Sequence, residues 1–422
     1  MPEAISFYAA AAPAAALRPA LAGERTADVC VVGGGITGCS AALHLAERGY
    51  RVILVEGEHV GFGASGRSGG QLIAGFNRDQ TTLARLVGRD DARHLWALSE
   101  EALALTRALI ARHGIACALT DGHLQLATRR RHLAELRATA EEWTALGRPG
   151  IVVWDRDRTR AAIASDRYIG ALCDPGGGHL DPLAYTRGLA AAAEAAGAEI
   201  FERSPMTAWT AGDPAVVRTS TGTVRAPFVV LAGNAYLWAR ERRLGRTIMP
   251  VGTYLIATEP LGAARAAALI PGNQAASDLN VVLDYFRRSP DHRLLFGGRV
   301  NYSRRAPRDL AAAMRKTMLR AFPQLADVAV EHAWGGFVAI TLNRLPQFGR
   351  LAPNVLFAQG YSGHGLALAG LAGKLAAEAV AGQAGRFDVF TRIPHAAFPG
   401  GTALRTPLLV AGMAWHRLRD LL

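Results

Sequence analysis

Asp28 to Glu56 is the stretch that most restricts what this 422-residue chain can fold into. The run Asp28-Val29-Cys30-Val31-Val32 has the composition of a buried strand, and it leads directly into Gly33-Gly34-Gly35-Ile36-Thr37-Gly38. Those residues read as a GxGxxG turn opening a helix through Ala46, and a second apolar run, Val52 to Val55, ends at Glu56. Strand, glycine turn, helix, strand and acid in that order form a dinucleotide-binding unit. Gly33 makes the tight turn, Gly35 lets the backbone approach a pyrophosphate, and Gly38 lets the helix pack on the strand. The free N–H groups at the helix start, around Ile36 and Thr37, suit phosphate oxygens. Glu56 lies about 20 residues past the glycines, where a carboxylate accepts hydrogen bonds from ribose hydroxyls.

The unit alone leaves NAD and FAD open. The next stretch, Gly61-Phe62-Gly63-Ala64-Ser65-Gly66-Arg67-Ser68-Gly69-Gly70-Gln71, holds too much glycine for a helix or a packed strand. It suits a backbone lying close to a flat ligand, because glycine removes the side chain that would hold the ligand away. Following the dinucleotide unit, this stretch resembles the flavin-contacting loop of the D-amino-acid oxidase superfamily of FAD-dependent oxidoreductases, and within it the amine-oxidase branch. Trp334-Gly335-Gly336 and Gly360-Tyr361-Ser362-Gly363-His364-Gly365, set before an Ala/Gly/Leu-rich helix, are similar to the late flavin site of that family. The Tyr8 region and the final stretch Thr406 to Leu422 share the likeness, which therefore spans essentially the whole chain.

The resemblance implies an α/β fold: a Rossmann-like FAD-binding domain of glutathione-reductase-like topology, interleaved with an α+β substrate domain. The expected division puts 1–77, 155–234 and 334–422 in the FAD-binding domain and 78–154 and 235–333 in the substrate domain. It also implies FAD contacts at Ala64, Ser65, Arg67, Gly70, Gln71, Met206, Ala232, Gly233, Gly363, His364, Gly365 and Leu366, beside those of the dinucleotide unit.

Local patterns agree with such an architecture. Thr82 to Gly88, Asp91 to His113 and Pro182 to Gly197 have helical periodicity. Glu199 to Glu202, Thr253 to Thr258, Val281 to Phe286 and Leu294 to Gly297 read as strands, Phe228 to Asn234 reads as a buried strand ending in a small-residue turn, and no internal repeat occurs. With half its residues apolar, the chain buries a large core. The net charge of +12 comes almost wholly from arginine, Lys316 and Lys374 being the only lysines. Clusters such as Arg129-Arg130-Arg131 lack interleaved aromatic residues, so no nucleic-acid partner is expected. Cys30, Cys39, Cys117 and Cys173 form no CxxC pair, which fits a reduced, cytoplasmic setting with no metal site. No apolar run reaches the ~18 residues of a membrane span, and Pro407 to Leu422 is expected to be an amphipathic helix docked on its own protein.

Flavin-dependent C–N oxidation asks chiefly for orientation, since holding the donor carbon within ~3.5 Å of flavin N5 makes the step effectively unimolecular. The helix opening at Gly365 and Leu366 directs its positive end toward the flavin. Tyr254, Tyr285, Phe286, Trp334 and Tyr361 are the aromatic residues expected around a substrate amine, which rings attract when it is cationic, and His364 is expected to influence the flavin. Departures from family patterns narrow the reading. No cysteine follows Cys173 and Arg67 stands where one branch tethers FAD through histidine, so FAD is expected to be non-covalent. Val338 holds the place at which the amino-acid-oxidising branches carry an arginine for the α-carboxylate. The implied substrate is an amine, such as a gamma-glutamyl-capped polyamine, with O2 as acceptor and hydrogen peroxide as product. The alternatives are a D-amino-acid or secondary-amine dehydrogenase serving a quinone or carrier, and a flavoprotein whose work is protein binding. Because neither lysine is well placed, a positive charge for oxygen activation is expected from His364, Arg67 or the protonated product. The sequence leaves the oligomeric state open.

Overall fold

The structure, a computed structural model, describes residues 5–13, 17–280, 282–301 and 307–401, with the backbone alone at 299–301. Its organising element is a six-stranded sheet ordered Gln347–Ala352, Val355–Gln359, Phe228–Leu231, Val29–Val32, Val52–Val55, Glu199–Phe201. Five strands run parallel; the edge strand Gln347–Ala352 is antiparallel to its neighbour. Both faces are covered, which explains why these strands read as continuous apolar runs. Strand residues alternate between two layers. Val29, Val31, Val52 and Leu54 join one core cluster with the helices, while Cys30, Val32, Ile53 and Val55 join another under a four-stranded sheet. That second sheet is ordered Gly23–Thr26, Gly222–Ala226, Ala215–Arg218, Ala208–Thr210.

Helices Ile36–Ala46, Pro182–Ala195 and Gly365–Val380 pack together on the first layer. The approach of the first and third is close enough to require glycine: a Cβ on Gly373 would stand 2.4 Å from the Thr37 carbonyl oxygen and 2.6 Å from Ala41 N. Pro182–Ala195 starts where its sequence says it should. Asp181 Oδ1 accepts from the N–H groups of Leu183 and Ala184, both at 2.9 Å, and proline occupies the first turn, where no donor is needed.

The third and largest sheet is ordered Val330–Ile340, Met249–Thr258, Leu294–Asn301, Tyr285–Arg288, Ala275–Asp278, Thr120–Ala127, Gly170–His179, Gln71–Leu72, with Val152–Trp154 pairing Gly170–His179. It takes in strands from both sides of the expected boundaries at 155 and 334. Strand Gly170–His179 and residues 334–340 of strand Val330–Ile340, expected in the FAD-binding domain, hydrogen-bond into the large sheet. The reason is pairing: Leu255 faces Trp334 and Tyr254 faces Gly335 in an antiparallel ladder ten pairs long. The expected helices from Thr82 and Asp91 appear as Gln80–Val87 and Arg89–Arg112. The strand expected from Val281 begins at Tyr285, while Val281 itself and the expected helix from Pro407 lie outside the described residues. Among the described residues no helix is long and apolar enough to cross a membrane. All four cysteines are free, and Cys30, Cys39 and Cys117 are buried.

Candidate active site

The dinucleotide unit folds as a tight cradle. Gly33 has φ of +110°, and its N–H donates to the Val55 carbonyl at 2.9 Å. A Cβ on Gly38 would lie 1.8 Å from the Gly33 carbonyl oxygen, so no other residue permits this helix to start against this turn. The helix beginning at Ile36 has Gly35 as its N-cap, which carries no side chain to satisfy the first N–H groups. Ser65, reaching over from the glycine-rich loop, accepts from Ile36 N at 3.0 Å. Glu56 closes the other side of the turn: Oε2 accepts from Gly34 N at 2.5 Å and Oε1 from Glu58 N at 2.9 Å. Burial raises the pKa of this carboxyl, and the two backbone donors oppose the rise. A capless helix start, a close-packed glycine turn and a backbone-anchored carboxylate together fit the phosphates and ribose of a dinucleotide.

Beside this cradle lies a cavity of about 480 Å³, lined by residues from the surroundings of both the six-stranded sheet and the large sheet. Its walls include Gly35, Ile36, Thr37, Ala64, Ser65, Arg67, Gly70 and Gln71 from the first half of the chain, and Ala232, Tyr361, Gly363, His364, Gly365 and Leu366 from the second. The glycine-rich loop is held from behind. Arg67 donates from Nε to the Phe62 carbonyl at 2.9 Å and from Nη1 to the Gly335 carbonyl at 3.0 Å, with its guanidinium 5.5 Å from the Phe62 ring centre. Tyr8 Oη donates to the Ser68 carbonyl at 2.8 Å, and Gln71 Nε2 to the Ala276 carbonyl at 2.9 Å.

The late loop supplies the facing wall. Gly360, Ser362 and Gly363 have φ of +75°, +54° and +89°, so the chain turns sharply before the helix at Gly365. His364 Nε2 lies 3.0 Å from the Ala74 carbonyl oxygen. A carbonyl only accepts, so Nε2 carries the proton and Nδ1 is left as the basic nitrogen. Burial lowers the His364 pKa, against the raising effect of that bond, and holds the ring neutral. Of the three charges expected for oxygen activation, His364, Arg67 or the protonated product, burial disfavours the first.

The expected aromatic group divides. Tyr285 and Tyr361 line the cavity, whereas Trp334 and Tyr254 do not. Trp334 is wholly buried, and its indole N–H donates to the Arg67 carbonyl at 2.9 Å, so the ring braces the glycine-rich loop instead of facing substrate. The Tyr254 ring packs where a Cβ on Gly335 would stand, 2.7 Å away, and Phe286 stacks parallel to Phe296 in the substrate-domain core. Met206 is likewise core, beneath the four-stranded sheet with Val55 and Phe201. Gly33, Gly38 and Glu56 shape the turn without lining the cavity. Gly233 is also absent from the lining, but its backbone N would lie 2.9 Å from a Cβ on Gly33, so it too belongs to the turn's packing.

Sequence reasoning missed several wall residues, among them Asn77, Arg78, His123, Glu142 and Arg344. His123 sits in a strand whose alternation marks it only as inward-facing; its Nε2 is 3.3 Å from both Gln71 Oε1 and Ser277 Oγ. No local signal separates such a residue from a structural one. Val338 does line the cavity. A second, open depression of about 900 Å³, with Arg129, Arg160, Arg167 and Arg320 among its walls, contains none of the residues expected to bind cofactor or substrate.

Residues 28–379 match the DAO family, described as FAD-dependent oxidoreductases. The chain is 44% identical over 416 residues to the gamma-glutamylputrescine oxidoreductase of Escherichia coli strain K12, covering 98% of each. It is 40% identical over 408 residues to a probable oxidoreductase, OrdL, of Haemophilus influenzae, covering 95% of this chain and 94% of that one. Among solved structures, the glycine oxidase of Geobacillus kaustophilus shares the fold, with a TM-score of 0.71 at 24% identity over 85% of this chain and 95% of its own.

Proposed function

The chain belongs to the DAO family of FAD-dependent oxidoreductases, and from that premise we propose that it oxidises the terminal C–N bond of a gamma-glutamylputrescine-like amine. The carbon gives up hydride and the nitrogen a proton, leaving an imine that water splits to an aldehyde and ammonia. O2 accepts the two electrons and, with two protons, becomes hydrogen peroxide. The observation that carries this reading is the near full-length likeness to a relative named for gamma-glutamylputrescine, together with Val338 in the cavity wall. Valine offers no donor to an α-carboxylate, so the position that would grip an α-amino acid beside the reacting carbon is apolar.

FAD, when bound, supplies the two-electron acceptor for the C–N bond. The protein's own part is placement. Glu56 and the turn at Gly33 to Gly38 would hold the ribose and phosphates, with Ser65, bonded to the Ile36 N–H, and the Thr37 N–H completing that end. Tyr285 and Tyr361 exclude water from the cavity and pack on the amine chain. Neutral His364 offers Nδ1 to the proton that an ammonium must lose before its carbon donates hydride. Arg67, fixed by two carbonyls, carries positive charge at the cavity wall.

Anaerobic mixing with a panel of amines tests the proposal. Gamma-glutamylputrescine should bleach the bound flavin much faster than D-alanine or glycine, and a D-amino acid that bleached it faster would overturn the reading. One observation favours an acceptor other than O2: neither Lys316 nor Lys374 lines the cavity, and Lys374 is bound to Glu101 at 2.6 Å. Slow reoxidation by O2 alongside fast reoxidation by a quinone would assign a dehydrogenase.

A further inference from the structure

Arg78 and Arg344 come from distant parts of the sequence and meet in the wall of the same cavity. Arg78 follows the glycine-rich loop; its Nε donates to the carbonyl of Asn343, the residue before Arg344, at 3.0 Å. Bringing two guanidinium groups together costs Coulomb energy unless an anion lies between them. Desolvation and then the neighbouring Arg344 lower the pKa of Arg78, against the raising effect of Asp79. Among the described residues neither side chain makes an ion pair. Most other wall-lining or core arginines are committed elsewhere, Arg67 to Phe62 and Gly335 and Arg148 to Glu100 and Asp174.

The turn that presents Arg344 is built with some strain. Arg344 has φ of +60°, a left-handed conformation that is unfavourable for a residue with a Cβ. Asparagine or glycine would take that position at less cost, so the arginine is held there by its surroundings. Asn343 Oδ1 accepts from Thr341 Oγ1 and from Leu345 N, both at 3.0 Å, and its Nδ2 donates to the Pro394 carbonyl at 2.8 Å. Arg344 N donates to the Thr341 carbonyl at 3.1 Å. The guanidinium is therefore offered from a braced backbone, with no partner of its own on the described protein. Two acids share this part of the wall: Asp79, beside Arg78, and Glu142, whose pKa is raised by burial and further by Asp79.

We infer that Arg78 and Arg344 form a carboxylate-binding subsite for the end of the substrate remote from the oxidised C–N bond. This rests on the amine-oxidase reading and adds to it a recognition element. The apolar Val338 position excludes a carboxylate next to the reacting carbon, while the arginine pair favours one at the far end of a long amine. Asp79 and Glu142 suit an ammonium at that same end, so the subsite as a whole matches a zwitterionic amino-acid head attached through its side chain.

Three amines of matched length isolate the carboxylate: gamma-glutamylputrescine, N-glutarylputrescine, which lacks only the α-ammonium, and N-butanoylputrescine, which lacks both charges. Half-saturation concentrations for anaerobic flavin bleaching are measured on the FAD-loaded protein. The two carboxylate-bearing amines should half-saturate at least about tenfold lower than the butanoyl compound, as charge-assisted bonds to arginine imply. In the Arg78→Met, Arg344→Met double variant that ratio should collapse toward one. Arg344→Asn, a residue at ease with a positive φ, separates loss of the guanidinium from damage to the turn and should lower the ratio as well. A ratio that persists in these variants overturns the subsite. If no amine bleaches the flavin, the amine-oxidase reading fails on its own, and the subsite is still decided by titrating N-butylglutaramate, which has no oxidisable amine. Binding to wild type that weakens in the double variant supports the pair; equal binding, or none to either protein, rejects it.

Discussion

The Tyr361 hydroxyl lies 2.7 Å from Thr37 Oγ1, joining the late glycine loop to the first turn of the dinucleotide helix across 324 positions of sequence. Both groups are buried, and burial raises the Tyr361 pKa, so the phenol stays protonated and the bond persists at any ordinary pH. One contact thereby fixes the two halves of the cavity wall against each other. Tyr361→Phe leaves the Thr37 hydroxyl without its partner, at a cost of about 1 to 3 kcal/mol. The thermal midpoint of flavin release should fall in that variant and recover in part in Tyr361→Phe, Thr37→Val, where no polar group is orphaned. A double variant as unstable as the sum of the singles would contradict this.

Glu56 is held by Gly34 N and Glu58 N in the position a ribose-binding acid needs. Glu56→Ala should be isolated mostly as apoprotein with its secondary structure intact, by flavin absorbance against circular dichroism. In wild type, acid precipitation should release FAD into the supernatant. Fluorescence that stayed with the denatured chain would show a covalent tether, and full occupancy in the variant would remove Glu56 from the site.

His364 is neutral and retains a basic Nδ1, so its effect belongs to the half-reaction in which the amine loses its proton. His364→Ala should slow anaerobic flavin bleaching at pH 7 by about 10² or more, in the range of general-base removal. The loss should shrink as pH rises toward the pKa of the free amine. Stopped-flow traces showing slower reoxidation with unchanged bleaching would place the histidine at the oxygen step instead.

His123 and His179 are fully enclosed, and burial pushes their pKa values down to about 4 and about 3. Their folded values lie below the unfolded value of about 6.5. The unfolded chain therefore takes up protons that the folded chain refuses, and the stability linked to the neutral rings is complete above about pH 6.5 and declines as pH falls. Each ring contributes a slope of about 1.4 kcal/mol per pH unit between about pH 6 and 4. His179→Gln should flatten the pH dependence of urea unfolding over that window by one proton's worth. An unchanged slope would mean that the ring is protonated when folded.

Much of the cofactor end was legible in the linear chain because its demands are local. A turn that must admit a phosphate and start a helix needs glycine at Gly33 for its positive φ and at Gly38 because a Cβ there would strike the Gly33 carbonyl, and those two constraints act over fewer than ten residues. The same holds for Glu56, placed by one helix and one strand of standard length, and for the late loop, whose glycines mark its positive φ values. The strands of the six-stranded sheet were readable as apolar runs, because both of their faces are covered.

Tertiary structure decided the rest. Trp334 and Tyr254 look like Tyr285 and Tyr361 in composition, yet strand pairing turns the first two into the core and leaves the others on the cavity. Strand Val330–Ile340 joins the large sheet through a ladder whose partner lies some eighty residues earlier, a pairing that no local pattern encodes. His364 carries a residue type that suggests charge, but its carbonyl partner at Ala74 and its burial make it neutral. Arg78 and Arg344 were two among many arginines until the fold put both in the wall of one cavity. Local sterics act through bonds to adjacent residues and are written in sequence, whereas the direction of a side chain, its charge state and its neighbours depend on which distant segment packs against it.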